Sequence, residues 1–224
     1  MKLLEEYGLD SNIIAKFELY RNILLEWNEK FNLTAITDKD KMEEKHFLDS
    51  LYMDKFVSLD NKSLLDVGSG AGFPGLALAI AHPTLKVTLL ESNKKKTTFL
   101  TEAIKALGLD NVRIVNSRVE DFKERESFDI VTARAVKELN ILIELCFAFV
   151  KVKGQFIAYK SNAVNEEINH AKRAFKTLEV GEISKYEYTL PTNKDARVLL
   201  VISKNKATKK RYPRNYSEIV KAPL

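Results

Sequence analysis

The chain has 224 residues, of which 45% are apolar, and its 36 Lys and Arg against 31 Asp and Glu give a net charge of +5. That length can bury one good core and a small accessory lobe. No apolar run is long enough to cross a bilayer, and the amino terminus lacks the pattern of a secretion signal, so we expect a cytoplasmic protein without membrane contact. Cys146 lies in an apolar run and is expected in the core rather than as a nucleophile.

The first 60 residues predict helices and contain almost no strand signal. Apolar side chains recur every three or four positions from about Ser11 to Phe31, which predicts a helix with one buried face. A second helix is predicted from about Asp40 to Leu59. On it His46, Asp49 and Ser50 share a face that differs from the apolar one.

A strand, a tight glycine-rich turn and a helix are predicted between Ser63 and Ala81. Gly68, Gly70 and Gly72 allow positive φ and let a ligand approach bare backbone. The stretch also satisfies the G-x-G-x-x-G spacing of dinucleotide sites, and a plain connector is a further alternative. Asp66 precedes the glycines, and a proline stands where a pyrophosphate would need free N–H groups. Both features favour S-adenosylmethionine, which carries a cationic sulfonium, over NAD or FAD.

From Lys62 onward strands alternate with helices, which predicts a parallel sheet covered on both faces. Two further strands, at 183–190 and 197–203, are predicted to be antiparallel. The predicted fold is a Rossmann-like, mainly parallel sheet of seven strands with an amino-terminal helical extension. We expect a helical region at 1–60, the sheet domain at 61–203 and a basic tail at 204–224. The other predicted strands lie at about 63–67, 86–91, 112–116, 128–132 and 155–159, and the helices at about 74–82, 94–107, 138–150 and 163–178.

Residues that directly follow the strands are candidate ligand contacts, because such sheets bind ligands beyond the carboxyl ends of their strands. Glu91 follows the second strand and can accept both hydroxyl hydrogens of a ribose. Its alternative role is to complement the dipole of the next helix. After the third strand, the backbone of Val119 and the carboxylate of Glu120 can grip an adenine edge. Arg118 and Glu120 can equally form an exposed ion pair of little consequence.

Arg134 after the fourth strand is expected to point into the same crevice, where a guanidinium can pair with a carboxylate or a phosphate. Lys160 closes the fifth strand and is a candidate of the same kind. His46, His82 and His170 are scattered along the chain, and the last two are expected at the surface. No Cys/His cluster has metal-ligand spacing and no Ser/His/Asp arrangement is evident. We therefore expect a reaction that needs neither a metal nor a covalent intermediate.

Positive charge is concentrated in the last 21 residues, which hold seven Lys and Arg against one acid, Glu218. Tyr212 and Tyr216 lie among these cations. Lysines attract phosphate and aromatic rings stack on bases, so the segment is typical of a polyanion-binding arm. A merely solvated basic tail is the alternative.

Several motifs occur together over nearly the whole chain. They are Leu25-Glu26-Trp27-Asn28, Asn32-Leu33-Thr34, His46-Phe47-Leu48-Asp49-Ser50-Leu51, the run from Asp66 to Gly75, Arg118-Val119-Glu120, Thr132-Ala133-Arg134-Ala135 and Tyr212-Pro213-Arg214. Together they resemble the bacterial small-subunit rRNA methyltransferase family RsmG, also called GidB. The sequence departs from that family where Asn215-Tyr216-Ser217-Glu218 replaces a glycine-containing stretch, and at Lys160-Ser161-Asn162, where Lys-Gly is usual.

This resemblance implies a class I S-adenosylmethionine-dependent methyltransferase that modifies N7 of one guanine, guanine 527, in 16S rRNA. Its partner is then 16S rRNA or the small ribosomal subunit, with no metal. Guanine N7 carries a lone pair and no proton, so the reaction needs no general base and depends on orientation. The alternatives are a methyltransferase for another substrate and an RNA-binding module that retains the fold.

The resemblance and the strand-end residues together assign three groups of site residues. His46 is also open to a packing role in which it bonds Asp49. Cofactor binding is assigned to Asp66, Gly68, Gly70, Phe73, Glu91, Ser92, Asn93, Val119, Glu120 and Arg134, catalysis to Arg134, His46 and Lys160, and RNA contact to His46, Asp49, Ser50, Arg211 and Arg214.

Overall fold

A sheet of seven strands in the order β3-β2-β1-β4-β5-β7-β6 forms the centre of the protein, seen in a computed structural model that describes residues 1–134, 137–161 and 164–224. Strands β1 to β5 run parallel, and β7 is antiparallel to both of its neighbours. The predicted sheet is thereby confirmed. The strands are β1 (Ser63–Val67), β2 (Lys86–Leu90), β3 (Val112–Val115), β4 (Phe128–Ala133), β5 (Val150–Ser161), β6 (Ile183–Thr189) and β7 (Ala196–Ser203).

Helices cover both faces of this sheet. Short 3-10 turns at Tyr52–Lys55, Val119–Asp121 and Phe147–Phe149 join some of the elements. The helices are α1 (Lys2–Tyr7), α2 (Ser11–Lys30), α3 (Lys39–Met42), a π-helical segment (Glu43–Leu48), α4 (Asp49–Leu51), α5 (Gly75–Ala81), α6 (Lys94–Leu107), α7 (Leu139–Cys146), α8 (Val164–His170), α9 (Lys172–Leu178) and α10 (Tyr216–Lys221). No described helix has the length and apolar character to span a membrane.

The apolar residues of the strands divide between two buried clusters, because successive side chains of a strand point to opposite faces. Leu64 of β1 packs with α2, α5 and α6, whereas Leu65 packs with α7, α8, α9 and α10. The helices of the first 60 residues therefore share a core with the sheet. Cys146 is buried in the second cluster, as expected.

Several element boundaries differ from the predictions, and the helix predicted at 163–178 is divided into α8 and α9. Strand β5 begins at Val150 rather than near 155, because its first residues pair with β4 across a bulge that the sequence pattern does not reveal. The second amino-terminal helix is interrupted by the π-helical segment and its last 3-10 turn ends at Lys55. Residues 216–221, expected within a tail, form helix α10 packed on α7. Ala135 and Asn162, which belong to two of the quoted motifs, lie outside the described residues.

Candidate active site

The loop that follows β1 has the backbone that its glycines predict. Gly68, Gly70 and Gly72 have φ of 72°, 59° and 95°. A Cβ at Gly72 would lie 2.5 Å from the Tyr20 hydroxyl, and that hydroxyl donates to the carbonyl of Ala71. Helix α2 therefore packs directly against the loop and fixes its shape, a contact that local sequence gives no means of finding.

Asp66 lies beneath this loop and is fully buried. Its Oδ2 accepts a hydrogen bond from the N–H of Gly75 at 3.0 Å, whereas Oδ1 has no hydrogen-bond partner among the described residues. Burial raises the pKa of Asp66 to about 7, although Gly75 and Arg134 oppose that rise. The side chain supports the loop from below, and one carboxyl oxygen remains without a partner.

Glu91, at the end of β2, holds the same loop from the other side. Its Oε2 accepts from the N–H of Gly70 at 2.9 Å and its Oε1 from the N–H of Asn93 at 2.8 Å. Asn93, not Glu91, caps α6, because its side chain accepts from the N–H of Lys95. Glu91 bonds the backbone N–H of the residue that caps α6, so the alternative in which it complements the dipole of that helix is compatible with this geometry, and its carboxylate also bonds the glycine loop.

A cavity of about 280 Å³ opens beside these residues, and we call it the nucleoside cavity. Five of the predicted cofactor residues line it. One of the five, Glu120, forms an ion pair with Arg118, which also lines the cavity; their charged atoms are 3.9 Å apart and Arg118 is largely exposed. The lining residues are Val67, Gly68, Leu90, Glu91, Ser92, Ser117, Arg118, Val119, Glu120, Lys137, Leu145 and Tyr216.

The other predicted cofactor residues do not line the nucleoside cavity. They are Asp66, Gly70, Phe73, Asn93 and Arg134. Asp66, Gly70 and Asn93 bond to the loop or to Glu91 as described. Phe73 is 6% exposed and stacks on the His46 ring, with the ring centroids 4.5 Å apart. Phe73 therefore joins the glycine loop to the helical region in front of the sheet.

A second cavity of about 640 Å³, which we call the cationic cavity, lies at the same edge of the sheet. Five cationic side chains and three carboxylates line it. Lys137 lines both cavities. The lining residues are Ile36, Lys45, His46, Asp49, Arg134, Lys137, Glu138, Tyr159, Lys160, Ser161, Glu167 and Arg197.

Arg134 connects the sheet to the helical region across this cavity. Its Nη1 lies 3.3 Å from Oδ2 of Asp49, and it also donates to the carbonyl of Lys45 and to Ser50 Oγ. The guanidinium lies over the Phe73 ring at 5.1 Å. Arg134 thus lies directly beyond β4, but it lines the cationic cavity and not the nucleoside cavity.

His46 is held in one neutral tautomer by its neighbours. Arg134 is an obligatory donor and lies 3.4 Å from Nδ1, so Nδ1 accepts and the ring proton lies on Nε2, 2.7 Å from Thr34 Oγ1. Burial, followed by the nearby Arg134, lowers the pKa of His46 to about 3. The alternative in which His46 bonds Asp49 is wrong, since Arg134 lies between them.

Asp49 and Ser50 differ in their access to this cavity. Oδ1 of Asp49 accepts from the Tyr188 hydroxyl at 2.8 Å and lies 3.7 Å from Nε of Arg197. Ser50 is fully buried, its Oγ donates to the His46 carbonyl, and its own carbonyl accepts from Tyr159. The RNA contact expected of Ser50 does not agree with that burial, and its hydroxyl positions the helix instead.

Lys160 is an inward-facing cation with fixed partners. Its Nζ lies 2.5 Å from Oε2 of Glu167 and donates to the carbonyl of Lys137 at 2.7 Å. The side chain lines the cationic cavity but only 8% of the residue is exposed. Lys160 therefore fixes the segment that carries Lys137, and this pairing was not evident from the sequence.

The basic tail is folded against the sheet domain rather than free. Arg214 forms two hydrogen bonds of 2.7 Å with the fully buried carboxylate of Glu144. Lys204 is fully buried and pairs with Glu126 at 3.0 Å. The expectation of an extended polyanion-binding arm is therefore wrong for these two cations. Arg211 is exposed and lies over the ring of Tyr212, which is itself buried.

The other two histidines differ in exposure. His170 is exposed, as expected, but His82 is half-buried because its Nε2 lies 3.1 Å from Oδ2 of Asp54. Within 1–134, 137–161 and 164–224, no three His, Cys, Asp or Glu side chains are grouped as metal ligands.

Comparisons with known proteins show the family of this chain and its fold. The GidB family model, described as "rRNA small subunit methyltransferase G", matches residues 13–192. A "Ribosomal RNA small subunit methyltransferase G" of Geobacillus sp. (strain WCH70) is 46% identical over 233 residues, which cover 99% of this chain and 96% of the relative. The protein of the same name in Bacillus pumilus (strain SAFR-032) is 40% identical over 228 residues, 99% of this chain and 95% of the relative.

Among solved structures, M. jannaschii TYW2 in complex with AdoMet superposes with a TM-score of 0.55 at 18% identity and covers 75% of this chain and 77% of its own. At that identity the likeness concerns the fold alone, which is the class I methyltransferase arrangement expected from the sequence. The family itself is shown by the family model and by the relatives. The chain belongs to the GidB family of methyltransferases.

Proposed function

We propose that this chain transfers a methyl group from S-adenosylmethionine to N7 of a guanine in 16S rRNA, at guanine 527. The printed descriptions of the family and its relatives support small-subunit rRNA as the substrate. The observation that carries the proposal is the adjacency of the two cavities at the carboxyl edge of the sheet, with Lys137 lining both. Such a substrate lies in the cytoplasm, where we propose that the chain acts.

The nucleoside cavity suits the adenosine of S-adenosylmethionine. Glu91 places a carboxylate where ribose hydroxyls can donate to it, and Glu120, which lines the same cavity, is proposed to meet the adenine edge. A Cβ at Gly68 would meet no protein atom within 4 Å, so this glycine leaves open space at the cavity wall. The unpartnered Oδ1 of Asp66 supplies buried negative character close to the loop, which suits a cationic sulfonium.

The cationic cavity suits a nucleic acid. Lys45, Arg134, Lys137 and Arg197 line it, and cations of this kind attract the phosphate backbone. Arg211 is exposed on the tail and is available for the same purpose. The hydrophobic and aromatic residues beside Arg134 can exclude water from the point where the base and the methyl group meet.

The chemistry places modest demands on the side chains. When bound, S-adenosylmethionine supplies a methyl carbon that the N7 lone pair can attack, and the carbon–sulfur bonding pair leaves on sulfur. N7 has no proton to lose, so no side chain has to act as a base. His46, whose pKa is lowered to about 3, is neutral near pH 7 and serves to orient Arg134. The residues contribute by holding the two reactants in line.

Titration calorimetry with S-adenosylmethionine, followed by transfer assays, tests the proposal. The labelled methyl group is offered to naked 16S rRNA, to assembled small subunits and to a protein extract. We expect cofactor binding and transfer to one of the two RNA substrates. Binding without transfer to RNA would favour the RNA-binding module, and transfer to the protein fraction would favour a methyltransferase for another substrate.

A further inference from the structure

Helix α10 (Tyr216–Lys221), at the carboxyl end of the chain, supplies part of the nucleoside cavity wall. Tyr216 lines this cavity together with Val67, Leu90 and Val119. It is half-buried and packs against the second apolar cluster of the core. The stretch 215–218 is also where the sequence departs from the family it resembles.

The segment that carries Tyr216 is fixed to the wall of the same cavity. Arg214 forms its two-bond ion pair with Glu144, which is fully buried, and the next residue, Leu145, itself lines the cavity. Arg214 also donates to the carbonyl of Ala222 at 3.1 Å, so its side chain links the chain just before α10 to the residue that follows the helix. Ile219 is fully buried in the contact between α10 and α7.

A second arginine holds the chain just before α10. The guanidinium of Arg125 donates to the carbonyls of Thr208, Lys209 and Tyr212. The Tyr212 ring is 5% exposed. Because its approach is fixed at several points, α10 presents Tyr216 at a defined position rather than as a mobile tail.

The Tyr216 ring also has a cationic neighbour that joins the two cavities. The Lys137 ammonium lies 5.4 Å from the centre of this ring, and Lys137 lines both cavities. An aromatic ring in a cavity that is also lined by apolar side chains and carboxylates is what a purine needs for stacking and edge recognition.

We propose that Tyr216 is an adenosine-binding residue and that α10 is therefore part of the cofactor site. This inference rests on the proposed function, since it takes the ligand of the nucleoside cavity to be S-adenosylmethionine. It assigns a cofactor contact to a residue of the basic tail for which the sequence indicated contact with nucleic acid.

Calorimetric titration of the full chain tests this inference with three variants. We expect Tyr216→Ala to weaken binding of S-adenosylmethionine about tenfold or more, since a lost base–aromatic stack has that scale. Binding of S-adenosylhomocysteine is expected to weaken by the same factor, because the two ligands share adenosine. Tyr216→Phe keeps the ring and is expected to bind within about twofold of the unchanged chain. Val220→Ala, at an exposed position of the same helix, is the matched control and is expected to bind normally.

The outcomes separate this inference from the proposed function. If the unchanged chain binds neither ligand, the proposed function fails. If the unchanged chain binds both ligands and Tyr216→Ala binds them equally well, the role of the Tyr216 ring is overturned. The same conclusion follows if Tyr216→Phe or Val220→Ala loses as much affinity as Tyr216→Ala. Thermal unfolding of each variant shows that the fold is retained, and binding is compared at a temperature where every variant is folded, because Tyr216→Ala also loses packing against the second apolar cluster.

Discussion

Nη1 of Arg134, just beyond β4, lies 3.3 Å from Oδ2 of Asp49 in the helical region that precedes the sheet. Only 18% of the Arg134 side chain and 6% of the Asp49 side chain are exposed. The ion pair therefore joins the two walls of the cationic cavity through a poorly solvated contact. It also places a cation beside His46, which adds to burial in lowering the pKa of that ring.

Breaking this pair is expected to cost stability. Arg134→Met leaves Asp49 buried with one partner fewer, which we expect to lower the free energy of unfolding by about 3 kcal/mol in urea denaturation. Adding Asp49→Asn to that variant removes the unpaired charge and is expected to recover part of the loss. Arg118→Met, at an exposed pair, is the control and is expected to change the free energy of unfolding by about 0.5 kcal/mol or less. Equal stability of Arg134→Met and the unchanged chain would contradict the burial of this pair.

His46 is expected to make the folded protein less stable as the pH falls. Its pKa falls from 6.5 to about 3 on folding, so below pH 6.5 the unfolded chain binds a proton that the folded chain does not. Stability from this group is present above pH 6.5 and is lost as pH falls toward 3, by up to about 1.4 kcal/mol per pH unit. We expect His46→Gln to flatten the fall in unfolding free energy between pH 6 and 4. The same slope in both proteins would contradict the neutral buried ring.

Asp66 is expected to link cofactor affinity to pH. Its pKa rises from 3.8 to about 7 on folding, so the stability given by the protonated form is present below 3.8 and is lost as pH rises through 7. A cationic ligand favours the carboxylate, so affinity for S-adenosylmethionine should rise between pH 6 and 8. In Asp66→Asn we expect this rise to be absent and stability at pH 8 to be at least that of the unchanged chain. Calorimetric titrations at pH 6, 7 and 8 measure the affinity, and urea denaturation at pH 8 measures the stability. An affinity of the unchanged chain that does not vary with pH would argue against the linkage.

Two arginines of the tail are expected to have separable roles. Arg214→Met leaves the fully buried Glu144 without its guanidinium partner, and we expect a loss of about 3 kcal/mol in the free energy of unfolding. Arg211→Met removes an exposed cation and is expected to change stability by about 0.5 kcal/mol or less. Arg211→Met should instead weaken rRNA binding and reduce the slope of log affinity against log salt by about one. If Arg214→Met weakened rRNA binding and reduced the salt slope while Arg211→Met did not, Arg214 and not Arg211 would contact the RNA.

Features fixed by neighbouring residues in the chain were accessible from the sequence. The glycine loop, Glu91 at the end of β2 and Arg134 beyond β4 follow from strand and turn patterns, because parallel strands bring their carboxyl ends together. Contacts between distant segments were not accessible. The bond from Tyr20 to Ala71 joins residues 51 positions apart, and nothing local marks either partner.

The tail shows the same limit. Its Lys and Arg residues have the composition of a solvated arm, and only the fold reveals the buried Glu144 that holds Arg214. The sequence pattern did not identify Lys137, and it placed Tyr216 with the RNA rather than with the cofactor, because neither residue follows a strand directly. Each reaches the nucleoside cavity through the packing of α7 and α10 on the sheet.

Identification of the methylated atom tests the central claim most directly. Small-subunit rRNA that lacks the modification is incubated with the chain and labelled S-adenosylmethionine, and the product is digested to nucleosides and mapped along the RNA. The account predicts label in one N7-methylguanine, at guanine 527, and none with Gly68→Val, whose side chain would enter the open space at the nucleoside cavity. Label on another atom or another base, or undiminished transfer by Gly68→Val, would contradict it.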